Sequence, residues 1–152
     1  MSLQELYQDT IIDHARAPRN VGVLAAATHE AAGYNPICGD RVTVYLKFDG
    51  KKIQEVQFVG EGCAISTASA SLMTECIREL SPERVREVFS IFQKMVTGTD
   101  VTEKEKESLG KLAVFSGVGE FPGRVKCATL AWHTFFEALN GPKGKKANKI
   151  ND

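Results

Sequence analysis

The pattern that most restricts the fold is the alternation of Val42, Val44, Leu46 and Phe48 with Thr43, Tyr45 and Lys47. Successive side chains on an extended chain point to opposite faces, so this run predicts a strand with one apolar and one polar face. Asp49-Gly50 follows as a hairpin signal, because type I′ turns need positive φ, and Val56-Gln57-Phe58 resumes the alternation on a return strand. A third strand is expected around Thr28 to Gly33. The rest of the chain reads as helical cover for this sheet.

Ser2 with Glu5 forms a capping box ahead of Leu3, Leu6, Tyr7, Ile11 and Ile12, which predicts a first helix to about Ala15, ended by Pro18. After Gly60-Glu61-Gly62-Cys63 the period becomes helical, with Ile65, Ala68, Leu72, Cys76 and Leu80 on one stripe. Ser81-Pro82 starts another helix with Val85, Val88, Phe89, Phe92 and Met95 as its apolar face, stopped by Gly98. Thr102 with Glu105 caps a further one leading through Leu109, Leu112, Ala113 and Phe115 to the glycines at 117 and 119. Phe121-Pro122-Gly123 opens the last, with Leu130, Ala131, Thr134, Phe135 and Leu139 at periodic positions. The class is therefore α+β, a short antiparallel sheet covered by helices. A single domain is expected over residues 1–140, followed by a flexible lysine-rich tail over 141–152 that carries Lys143, Lys145, Lys146 and Lys149.

Nineteen basic residues balance nineteen acidic ones, which leaves no global field to attract nucleic acid or an anionic membrane. The first residues carry an early acid and no long apolar run, so neither a signal peptide nor a membrane span is expected, and the compartment expected is the cytoplasm. Four cysteines in a chain of that compartment point to thiolates with metal or redox work before disulfides.

Cys38 and Cys63 fall at element boundaries beside glycine and Cys127 follows Phe121-Pro122-Gly123 in the first turns of a helix, places where side chains are presented rather than buried. Helix N-termini after Cys63 and around Cys127 favour the thiolate, and Arg124 and Lys126 add cationic character beside Cys127. Cys76, on an apolar stripe about 20 Å along the helix from Cys63, reads as a core residue. Asp40, two residues from Cys38 across Gly39, can complete a tetrahedron of three sulfurs and one oxygen, whose oxygen is the ligand most easily displaced. A purely structural zinc site is the alternative, although paired C-x2-C knuckles are absent from the sequence. Among rival ligands, His133 lies about 240° round the helix from Cys127, His14 fits a helix C-terminus, and His29 has an uncertain place. Gly60-Glu61-Gly62 lacks the spacing of a phosphate cradle, and Ser66, Thr67, Ser69 and Ser71 have no histidine placed to activate them.

Three motifs resemble the U-type iron-sulfur cluster assembly scaffolds, an IscU/NifU N-terminal-like family, in its SufU branch. They are Asn35-Pro36-Ile37-Cys38-Gly39-Asp40, Gly60-Glu61-Gly62-Cys63-Ala64-Ile65-Ser66-Thr67-Ala68-Ser69, and Phe121-Pro122-Gly123-Arg124-Val125-Lys126-Cys127-Ala128-Thr129-Leu130-Ala131-Trp132. The resemblance implies a small three-stranded antiparallel sheet packed against about five helices, a SufE/NifU-like fold with a metal site at one end. It implies a metal at Cys38, Asp40, Cys63 and Cys127, and a pyridoxal-phosphate (PLP) cysteine desulfurase, SufS-like, as partner. Three features depart from the IscU branch: Lys126 stands where that branch has histidine, a longer segment spans Thr97 to Gly117, and Phe121-Pro122-Gly123 replaces a leucine-proline-proline signal.

The function expected is zinc-dependent acceptance of persulfide sulfur by Cys38, with Arg124 and Lys126 steering, and delivery to downstream assembly or apo acceptor proteins. The chain is expected to act as a sulfurtransferase-type partner of the desulfurase, not as a stand-alone enzyme. One alternative is a scaffold on which Cys38, Cys63 and Cys127 hold iron or a [2Fe-2S] cluster. Another is a non-catalytic, zinc-stabilised interaction module.

Overall fold

A computed structural model describes residues 8–142 and 150–151. Three antiparallel strands, β1 (His29–Asn35), β2 (Asp40–Phe48) and β3 (Ile53–Glu61), form the sheet expected from the alternation. Val42, Val44 and Leu46 are buried on the inner face of β2, and the register sets Val44 against Phe58 and Leu46 against Val56, both also buried. The third strand runs two residues beyond the expected stretch and sets Asn35 directly opposite Asp40. The sheet order is β3-β2-β1-β4, where β4 (Ile150–Asn151) pairs parallel to β1. The expected tail therefore contributes a fourth, two-residue strand; Lys143, Lys145, Lys146 and Lys149 lie outside the described residues.

The hairpin turn differs from expectation. Phe48 pairs with Ile53, which leaves four loop residues, and of these Gly50 alone has positive φ, at 94°. The Asp49 carboxylate accepts from the backbone N–H groups of Lys51 and Lys52, each at 2.8 Å, and so adds a side-chain closure to the longer backbone bond from Asp49 N to Lys52 O at 3.3 Å.

The helices are α1 (Asp9–Arg16), α2 (Ala64–Ile77), α3 (Pro82–Val96), α4 (Glu103–Ser108) and α5 (Val125–Asn140). The Ser2–Glu5 box lies outside the described residues. Ser81 caps α3 by accepting from Arg84 N at 3.2 Å, and Thr102 with Glu105 makes the full reciprocal box on α4. Beyond α4 the expected α-helix is replaced by 3₁₀ turns over Gly110–Glu120. Leu109, Leu112, Phe115 and Val118 are all buried and recur at every third position, the period of a 3₁₀ turn, so the glycines at 117 and 119 do not stop the run. Pro122–Arg124 adds one more such turn before α5, which packs across β1 and β2 and delivers Cys127 to the end of the sheet.

His14 holds α1 to α2, a role beyond that of a helix-terminal cation. It is 2 % exposed, its Nδ1 lies 2.7 Å from Ser71 Oγ, and its Nε2 lies 3.7 Å from Glu75. Ser71 Oγ also accepts from Arg19 N at 2.9 Å. Burial is the main cause that pushes His14 below the ordinary histidine value of 6.5, with Arg19 assisting and Glu75 opposing. A histidine depressed in the folded state stabilises the fold above its unfolded value, and that stability is lost as the pH falls through the folded one. Thermal unfolding should therefore show a melting temperature that falls on acidification below about pH 6.5, and the fall should be shallower in His14→Gln. Ser71→Ala should destabilise by about 1–3 kcal/mol, since it strands the buried His14 Nδ1 and the part-buried Arg19 N; an unchanged melting temperature contradicts the buried link.

Candidate metal centre

Asp40 is the first residue of β2 and has no exposed surface. Its carboxylate accepts from Cys63 N at 3.0 Å through Oδ1 and from Asn35 Nδ2 at 3.3 Å through Oδ2. Among the described residues it forms no ion pair. The Cys127 thiol is also hydrogen-bonded to it. All of these donors are neutral, so an ionised carboxylate here would be one that a cation could balance. Gly62 is required for this arrangement, because a Cβ there would lie 2.6 Å from Asp40 Oδ1.

Cys38 sits on the turn between β1 and β2 and is exposed. The turn is closed by Gly39, whose φ of 74° suits glycine and whose N–H donates to Asn35 O at 2.8 Å. Cys127, in the first turn of α5, has no exposed surface and lies beneath Cys38, with the two sulfurs 3.5 Å apart. The ligand atoms of Cys38, Asp40 and Cys127 all fall within 4.8 Å of one another.

Cys63 stands just outside that group. It is the N-cap of α2, its sulfur accepts from Ser66 N at 3.4 Å, and it is half-buried. The Cys127 thiol donates to the Cys63 sulfur, and chiefly for that reason the Cys63 pKa falls to about 6, with burial opposing and the Ser66 N–H assisting. The same contact pushes Cys127 upward, together with burial and the nearby Asp40. Two thiols in contact share one negative charge, and the helix N-terminus draws it to Cys63.

The remaining candidates lie apart. Lys126 is exposed on the first turn of α5, and Arg124 is half-buried at the end of the preceding 3₁₀ turn. Cys76 is half-buried and not a full core residue: it lines a cavity of about 310 Å³ with Leu72, Glu75, Leu109, Lys111 and Leu112, and burial raises its pKa. Among the described residues no histidine joins the centre. His29 begins β1 at the strand end away from Asn35 and bonds Thr28 Oγ1 at 2.8 Å, while His133 stands edge-on to Phe89 at 5.3 Å. Asn35 is the residue beside the centre that sequence reasoning missed. Asn-Pro there signals a turn, and nothing in the pattern reveals that the amide reaches Asp40 and, at 3.9 Å, Cys127.

The model of the NifU-like N terminal domain matches residues 6–147. The chain belongs to that family. Among its NifU-like relatives is the zinc-dependent sulfurtransferase SufU of Bacillus subtilis, 40% identical over 143 residues that cover 94% of this chain and 95% of the relative. The iron-sulfur cluster assembly scaffold protein IscU of Streptococcus pyogenes is 39% identical over 138 residues, 90% of this chain and 84% of the relative. A crystal structure from Fervidobacterium islandicum, ascribed to the cluster assembly scaffold of its SUF system, superposes with a TM-score of 0.82 at 35% identity, covering 91% of this chain and 100% of that one. No helix among the described residues is long and apolar enough to cross a membrane.

The unequal thiols give a direct test on metal-free protein. Iodoacetamide labelling resolved by peptide mapping should bring Cys63 to half its plateau rate near pH 6, the value set by its contact with Cys127. Cys76 should require alkaline pH. Equal profiles at the two sites contradict the shared charge.

Proposed function

We propose that this NifU-like protein is a zinc-dependent sulfur acceptor, with Cys38, Asp40, Cys63 and Cys127 as the ligands of the ion and Cys38 as the residue that receives sulfur. The observation that carries the reading is the contrast between an exposed Cys38 on a glycine turn and the buried Asp40 and Cys127 beneath it. Three sulfurs and one carboxylate suit a borderline-soft ion that takes four ligands, and the buried carboxyl of Asp40 fits a divalent cation. Zinc bound there would hold the thiols as thiolates and leave the redox state of sulfur unchanged.

The partner is a PLP-dependent cysteine desulfurase, SufS-like in kind, that presents a cysteine persulfide. The Cys38 sulfur attacks the outer persulfide sulfur, the partner's S–S bond breaks, its cysteine leaves as a thiolate, and a new S–S bond stands on Cys38. Atoms and electrons balance without an added oxidant. Asp40, Cys63 and Cys127 remain in place because a strand and two helix starts anchor them. Arg124 and Lys126, close to Cys127 in sequence, would serve as cations for the anionic persulfide or for acids on the partner. The sulfur then passes to downstream iron-sulfur assembly proteins or apo acceptors.

Desulfurase turnover in the presence of this protein checks the reading. Zinc-loaded wild type should stimulate sulfur release from cysteine, whereas Cys38→Ala should abolish the stimulation while keeping its melting temperature within a few degrees. Equal stimulation by Cys38→Ala rules out Cys38 as acceptor. A second reading, a scaffold for a [2Fe-2S] cluster, draws support from the IscU relative at nearly the same identity. It requires that the protein, given iron, sulfide and reductant, build a cluster that transfers intact to an apo acceptor and that zinc inhibit the building.

A further inference from the structure

Asn35 closes β1 with no exposed surface, and its side chain is engaged at both ends. Its Oδ1 accepts from Ile37 N at 3.2 Å, which shapes the turn that carries Cys38. Its Nδ2 lies 3.3 Å from Asp40 Oδ2 and 3.9 Å from Cys127 Sγ, so the two amide hydrogens reach a carboxylate and a sulfur on different elements. Its backbone carbonyl takes Gly39 N at 2.8 Å. One residue therefore ties the turn that carries the exposed Cys38 to the buried Asp40 and Cys127.

We infer that Asn35 is the positioning residue that keeps Asp40 and Cys127 in place when Cys38 swings out, so that sulfur is accepted without loss of the metal. The inference rests on the acceptor reading above. The ligand atoms of Asp40 and Cys127 lie within 4.8 Å of each other; with zinc bound and Cys127 held as a thiolate they would be two like charges, and once Cys38 leaves, their repulsion would be opposed by fewer contacts. A neutral amide suits this place. It donates to both anions without competing for them as a lysine would, and Asp40 is left with its other oxygen fixed by Cys63 N at 3.0 Å. The Cys38 sulfur, by contrast, is exposed, and its hydrogen-bond contacts among the described residues are Gly123 O at 4.0 Å and the Cys127 sulfur at 3.5 Å.

Asn35→Asp separates the two jobs of the side chain. It keeps an acceptor for Ile37 N and removes the donor to Asp40 and Cys127, whereas Asn35→Ala removes both. Zinc-loaded full-length wild type and both variants are treated with limiting iodoacetamide; mass spectrometry reports labelling at Cys38, and a chromogenic chelator reports released zinc. Wild type should be labelled at Cys38 and retain its zinc. Asn35→Asp sets a second carboxyl beside Asp40 and should lower the melting temperature, but at a temperature where circular dichroism shows the zinc-loaded variant and wild type equally folded it should release zinc about tenfold or more faster once Cys38 is labelled. Its cobalt-substituted form should show shifted sulfur-to-cobalt and d–d bands before any labelling, a signature that a merely structural role would not move. Zinc retention by Asn35→Asp equal to wild type overturns the inference, whatever Asn35→Ala does. Release from wild type on labelling overturns the acceptor reading itself, in which the other three groups hold the ion.

Discussion

A fully buried carboxylate with no cationic partner among the described residues sets the terms for one end of this molecule. Asp40 stands where β1, β2 and the start of α2 converge, and each neighbour is shaped to it. Gly62 leaves the space its oxygen fills, Cys63 N and Asn35 Nδ2 point at its two oxygens, and Cys127 is brought close by α5. Neutral donors lessen the penalty of burying a charge there but do not remove it. A cation is the natural complement, and the thiols around it select for a soft or borderline ion over magnesium or calcium.

The fold was legible wherever a pattern maps to one local geometry. Alternation from Val42 to Phe48 gave β2 and its buried face, and Ser81-Pro82 and Thr102 with Glu105 marked helix starts that the hydrogen bonds reproduce. Local reading fell short where tertiary packing chose among near-equal options. Leu109, Leu112, Phe115 and Val118 fit a 3₁₀ period as readily as part of an α stripe, and burial of all four against the core decided for the tighter turn. Asp49 added a side-chain closure to its loop, and Cys76 came out half-exposed because its stripe ends at a cavity rim.

The candidate centre was legible as residue types and hidden as geometry. Placement at element boundaries named Cys38, Cys63 and Cys127, yet nothing along the chain tells that Cys63 turns its sulfur to cap α2 while Cys127 takes the middle position between the other two. Asn35 is the sharper case, since its contacts reach residues five and ninety-two positions away. The asymmetry that results, an exposed Cys38 over the buried Asp40 and Cys127 with Cys63 half-buried beside them, is the feature on which the proposed acceptor role rests.

X-ray absorption at the zinc edge of protein loaded with one ion tests the claim that these four groups share a metal. The account predicts a shell of three sulfurs at about 2.3 Å and one oxygen at about 2.0–2.2 Å, with the oxygen lost in Asp40→Ala. A shell dominated by nitrogen and oxygen, or one that Asp40→Ala leaves unchanged, would contradict it.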